Sequence, residues 1–248
     1  MSTAEAQDQL TLLELQRVDT SLDRIEHRLL TLPARTELRA AEVTLAELRD
    51  RIVASEAEVG DLERAVRKAE AEVDTVRTRA ERDEQLLISG SITSPKQLEE
   101  LQHEVASLAR RRSDLEDVEL EVMEQLESAV AHRNSLGVDF AEVELVRATA
   151  ETAIADAEML AAAERSIATT QRAALSTAIP TDLLSLYERV RADHGGVGAA
   201  ALSRGRCEGC QMQLPPSDIE RFRAAESNVV LRCEECRRIL VRTPESGL

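Results

Sequence analysis

Apolar residues recur along the first 180 positions at spacings of three and four. Leu15, Val18, Leu22, Ile25, Leu29 and Leu32 open the series. After Pro33 it restarts in a new phase through Leu38, Ala41, Leu45, Leu48, Ile52, Val59, Leu62, Val66, Ala69, Val73, Val76 and Ala80, with Ser55 as a polar interruption. Glu and Arg fill the positions between. This period predicts coiled-coil helix, with a kink or break at Pro33, because an interior proline removes a helical hydrogen bond and clashes with the preceding turn. The pattern stops over 88–95, Ile-Ser-Gly-Ser-Ile-Thr-Ser-Pro. Ser94, Pro95 and Gln97 then have the spacing of a capped helix start. A second run follows through Leu98, Leu101, Val105, Leu108, Leu115, Val122 and Leu126, and continues less cleanly beyond Gly137 to about Ala178. Two arms of nearly equal length around a short turn predict an antiparallel hairpin in which position i faces roughly position 184 − i. That rule sets Leu10, Leu12, Leu13 and Leu15 against the alanine-rich stretch 148–178. A short amphipathic helix over 181–194 caps the base and ends at Gly195-Gly196, a stop and hinge signal.

Composition sharpens the division. Of nine glycines, only Gly60, Gly90 and Gly137 precede residue 195, and all four cysteines follow it. The expected domains are therefore a helical hairpin over 1–194, with its tip at about 88–97, and a small module over 195–248. With one Tyr, two Phe and no Trp in 248 residues, the chain lacks the aromatic volume of an ordinary globular core. The fold class expected is mainly α, a long coiled-coil hairpin followed by a four-cysteine ribbon with short strands. No run approaches the roughly 20 apolar residues needed to span a bilayer, and the N-terminus lacks the basic start and apolar stretch of a signal peptide. The expected location is the cytoplasm, with no membrane partner.

The chemistry lies in the module. Cys207-Glu-Gly-Cys210 and Cys233-Glu-Glu-Cys236 are two CxxC knuckles separated by 22 residues. Each knuckle lets two thiolates converge, and a pair of them makes a closed tetrahedral site for one structural Zn2+. Two disulfides do not suit a reducing compartment. A redox CxxC normally accompanies a βαβ pattern, which is absent. A catalytic zinc keeps an open position, which four cysteines close. A ribbon helix is expected from Ser217, with strands at Val229–Arg232 and Ile239–Arg242.

No phosphate-binding glycine loop, GxSxG or HExxH occurs, and His27, His103, His132 and His194 are scattered through helix. No enzyme activity and no small-molecule substrate are expected. Arg232, Arg237, Arg238 and Arg242 cluster around the second knuckle and are candidates for phosphate contact, because arginine grips phosphate by forked hydrogen bonds. Against this, the net charge is −16, which disfavours nucleic acid along the body, and stacking aromatics are nearly absent. The partners expected are RNA or DNA through the ribbon or, alternatively, a protein held by the hairpin or its tip.

The tip Ile-Ser-Gly-Ser-Ile-Thr-Ser-Pro-Lys-Gln-Leu-Glu-Glu-Leu, the Leu186-Tyr187-Glu188 and Gly195-Gly196 stretches, both knuckles, Gln213-Leu214-Pro215-Pro216 and Arg238-Ile239-Leu240 together resemble the bacterial C4-type zinc-ribbon coiled-coil proteins. The composition suggests an actinobacterial, mycobacterial member. The resemblance implies an accessory factor: relatives are associated with flagellar gene expression, contacting RNA and an alternative sigma factor, or act as chaperone-like adaptors around type III secretion. It implies zinc ligation by Cys207, Cys210, Cys233 and Cys236 and a nucleic-acid-binding ribbon to which Arg238 belongs. Val241 departs from the aromatic expected after Ile-Leu, which would remove a stacking surface.

Overall fold

A computed structural model describes residues 3–248. The chain order is α1 (Ala6–Leu30), α2 (Pro33–Ile88), α3 (Pro95–Ala178), α4 (Thr181–Asp193), β1 (Ala199–Ser203), β2 (Arg206–Cys207), α5 (Pro216–Ala224), β3 (Leu231–Arg232) and β4 (Ile239–Arg242). The mainly α hairpin with a C-terminal ribbon is therefore the fold. At Pro33 the helix breaks rather than bends. Thr31 closes α1 with its backbone N–H on His27 O, and Pro33 starts α2, where a missing N–H costs nothing. Gly137 does not interrupt α3.

Two compact units emerge. The first, Thr36–Ala150, has a seam in which Ala41, Leu45, Leu48, Val59, Ala69, Ala80, Leu108 and Leu115 of the periodic series are buried. Ala129 and Leu136, outside that series, are buried too, and Leu98 of the series is exposed. Its turn carries Gly90 at φ +66, a left-handed conformation that suits glycine. The facing rule holds only near this turn. The ion pair Arg79–Glu104 obeys it within one residue, whereas Arg49–Glu144 is nine residues off. Arg35–Glu158 shares the nine-residue offset and Arg28–Glu164 is eight off, so the offset stays nearly constant farther from the turn.

The second unit joins residues up to Arg35 to Glu151–Leu248. Here Leu12 and Leu15 are fully buried, with Leu175 of the alanine-rich stretch packed against their core. They share a core with Ile179, Leu183 and Tyr187 near and in α4, and with Ala199, Val230, Ile239 and Val241 of the ribbon. Val241 is thus a core residue, and an aromatic there would not be a surface platform. The ribbon sheet has the order β2-β1-β4-β3, with β1 parallel to β4 and the other pairs antiparallel. A short N-terminal stretch joins it, since Thr3 bridges Val229 and Ala4 N–H donates to Asn228 O at 2.8 Å.

Candidate metal centre and ribbon face

Both knuckles have one backbone plan. In the first, Gln211 N–H donates to Cys207 O (2.8 Å) and Cys207 N–H to Met212 O (3.0 Å). In the second, Arg237 N–H donates to Cys233 O (2.9 Å) and Cys233 N–H to Arg238 O (3.0 Å). Gln211 and Arg237, each four residues after the first cysteine of its knuckle, have φ of +63 and +61. Left-handed backbone at a non-glycine residue is uncommon, and here it closes the turn that aims two sulfurs at one point. Gly209 is required by close approach: a Cβ there would lie 2.8 Å from Arg238 Cδ and 3.0 Å from Ala200 Cβ.

The four Sγ atoms all lie within 4.8 Å of one another. Across the knuckles, Cys207–Cys236 and Cys210–Cys233 are 3.8 and 3.9 Å apart. A zinc tetrahedron with bonds of about 2.3 Å has sulfur–sulfur edges of about 3.8 Å, whereas a disulfide bond is about 2.05 Å. The donor set fits one structural zinc, which when bound supplies a folding cross-link rather than a reactive position. Cys207 and Cys233 are fully buried, while Cys210 and Cys236 are at the rim. Burial pushes the Cys207 and Cys233 thiols up. Cys236 is also opposed by burial, but hydrogen bonds from the Arg238 backbone and the neighbouring thiols bring it down to about 7. Leu202, Leu214, Phe222, Leu231 and Leu240 pack around the two buried cysteines.

The four arginines divide. Arg238 sends its guanidinium inward to the carbonyls of Val197 (2.9 Å), His194 (3.0 Å) and Gly209 (3.2 Å), joining the end of α4 to the first knuckle. Arg242 donates to the carbonyls of Val229, Phe222, Ala225 and Ser227. Both act as backbone staples. Arg232 is exposed and donates to Arg237 O (2.8 and 3.0 Å). Arg237 stands in solvent, 3.8 Å from Glu234.

Polar residues on α1 also hold the ribbon. Gln16 accepts from Gly198 N–H (2.7 Å) and Ala199 N–H (3.2 Å) and donates to Gly196 O (2.9 Å). Gln9 donates to Ala4 O and Ser227 O. The Gly195-Gly196 stretch, read from sequence as a hinge, is thereby pinned. Asp19, 1% exposed, accepts from Tyr187 OH (2.7 Å) and Arg172 Nε (2.6 Å), with Arg191 Nε at 3.4 Å completing an ion pair. Arg172 also pairs with Glu188, and Arg191 with Asp23. In the sequence Gln9, Gln16 and Asp19 look like ordinary solvated helix positions. Their only signal is that they share the face of Leu12 and Leu15.

The CT398-like coiled coil hairpin domain matches residues 15–195, and the C4-type zinc ribbon domain matches residues 206–240. An uncharacterized protein of Mycobacterium tuberculosis is 37% identical over 234 residues, covering 94% of this chain and 95% of that protein. A solved structure from Mycobacterium smegmatis has 36% identity and a TM-score of 0.79, covering 97% of this chain and all of that one. The structure of CT398 from Chlamydia trachomatis, at 18% identity, has a TM-score of 0.64 over 96% of this chain and 98% of that one, and shares the fold.

Proposed function

Because the chain belongs to the CT398-like coiled-coil hairpin family and carries a C4-type zinc ribbon, we propose that it is a non-enzymatic adaptor whose hairpin receives a partner helix. Residues 1–194 serve as the docking platform, and 195–248 form the zinc-held module, with Cys207, Cys210, Cys233 and Cys236 as ligands. A reducing cytoplasm suits four thiols kept free for metal.

The supporting observation is at Gly137. A glycine inside a helix costs about 1 kcal/mol relative to alanine, yet α3 runs through it without a break, and a Cβ there would meet nothing within 4 Å. The space is an open groove of about 630 Å³ lined by Ile52, Val138, Ala141 and Leu145 and edged by Glu56, Glu142 and Arg133. Val138 and Leu145 are 59% and 69% exposed. A notch beside exposed apolar residues accepts a knob from an incoming helix. Residues 1–198 carry 23 basic against 40 acidic side chains, so charge complementarity selects a helix with basic flanks.

Nucleic-acid binding by the ribbon has less support. Arg238 and Arg242 are engaged with backbone carbonyls, and Phe222 is 4% exposed, which leaves no stacking surface.

The test is capture from lysate with and without nuclease, using the full chain and Gly137→Leu, with the contact mapped by cross-linking from the groove. Leucine should fill the notch without lowering thermal stability, and it should abolish a capture that nuclease leaves intact. Capture lost on nuclease treatment, or unaffected by Gly137→Leu, would replace this reading with the nucleic-acid one or with another surface.

A further inference from the structure

A second concave surface lies at the ribbon's edge, beside the second knuckle, whose Glu234 lines it. It is a cleft of about 410 Å³ lined by Leu186 of α4, Phe222 of α5 and the consecutive apolar residues Val230 and Leu231. β3 is the last strand in the order β2-β1-β4-β3, so among the described residues Leu231–Arg232 pairs with a strand on one side only, that of β4. Unpaired strand edges are templates for another extended chain. The residues leading into β3 already take one, through the Thr3–Val229 bridge.

The charge at this cleft is opposite to that of the chain. Its ionisable lining is Arg221, Arg232 and Arg237 against the single carboxylate of Glu234, in a protein of net charge −16. Arg221 bonds Glu234 at 2.9 Å and Asp218 at 3.0 Å. Arg232 is turned toward the carbonyl of Arg237, and the Arg237 side chain is 67% exposed. Arg237 also occupies a left-handed position that glycine would fill with less strain.

We propose that this cleft binds an extended acidic segment of a partner protein, which adds a strand beside β3 and sets carboxylates against Arg221, Arg232 and Arg237. Main-chain hydrogen bonds supply affinity in such strand addition, and side-chain pockets supply selectivity. The apolar lining with a buried phenylalanine favours alternating apolar and acidic side chains over stacked bases. The site uses none of the residues at the Gly137 groove, so it stands or fails independently of the helix-docking reading.

The test uses the zinc-loaded full chain and a short fluorescent peptide alternating glutamate and valine, followed by anisotropy at about 50 and 200 mM salt, a range over which exposed charge pairs weaken. Controls are the lysine–valine peptide, the acidic peptide N-methylated at alternate amides, and a single-stranded oligouridine. The acidic peptide should bind, weaken with salt, and shift the backbone amide signals of Val230–Arg232. Arg237→Gly keeps the turn and removes one cation, so zinc content and melting should persist while affinity falls about fivefold, the scale of one partly screened ion pair. Equal binding of the N-methylated peptide, equal binding to Arg237→Gly, or binding of oligouridine but not the acidic peptide would each overturn the proposal.

Discussion

Ser55 lies in the apolar seam of the Thr36–Ala150 unit, 4% exposed, and its hydroxyl has no hydrogen-bond partner among the described residues. An unpaired buried hydroxyl costs stability that an apolar replacement of similar size recovers, and alanine is also the better helix former. Ser55→Ala should therefore raise stability by about 1 kcal/mol, read as a higher urea midpoint with an unchanged slope. A lower midpoint would mean that the hydroxyl has a partner in solution. Tyr187 presents the opposite case, a buried hydroxyl fully used. Burial, and then its bond to Asp19, push it far above the ordinary tyrosine range. The unfolded chain would ionise first, near pH 10. This group thus leaves stability unchanged below that pH and removes it progressively as pH rises above. Tyr187 is the single tyrosine and tryptophan is absent, so phenolate absorbance reads it alone. That absorbance should rise together with the loss of helical dichroism; phenolate near pH 10 with helices intact would contradict the buried bond.

Among the elements, α1 and the ribbon depend on each other. Leu12 and Leu15 share a core with Ala199, Ile239 and Val241, and Gln16 satisfies the backbone entering β1. Zinc removal should therefore loosen more than the knuckles. Chelation is expected to increase amide exchange in β1, β4 and α1 while the seam of Thr36–Ala150 keeps its protection. If α1 keeps its protection when the ribbon loses its own, the shared core does not transmit the metal's contribution. The helices and β4 were legible because each carries its own period or sits in an apolar run. β1 was not. Ala199-Ala-Ala-Leu-Ser203 has no strand signature, and it becomes a strand because Ile239–Arg242 supplies a parallel partner about forty residues away. The expected strand Val229–Arg232 shortens to Leu231–Arg232, because Val229 instead bridges Thr3 and accepts from Arg242.

In the whole molecule, the local signals carried the architecture and the metal centre, because heptads and CxxC spacing are written in adjacent residues. The arginines were ambiguous for the converse reason. Whether a guanidinium faces solvent or a carbonyl depends on which loop folds over it: Arg238 reaches His194 and Arg237, its neighbour in sequence, reaches solvent. The same distance in sequence bears on biosynthesis. Gln16 is held to Gly196, Gly198 and Ala199 across 180 to 183 residues. At about 5–20 residues per second, α1 leaves the ribosome roughly 10–35 s before its binding partners exist. Through most of that interval Leu12, Leu15 and the Asp19 carboxylate lack the long-range neighbours they have in the fold. The cysteines of the second knuckle are made later still, so α1 is synthesised long before the residues that enclose it.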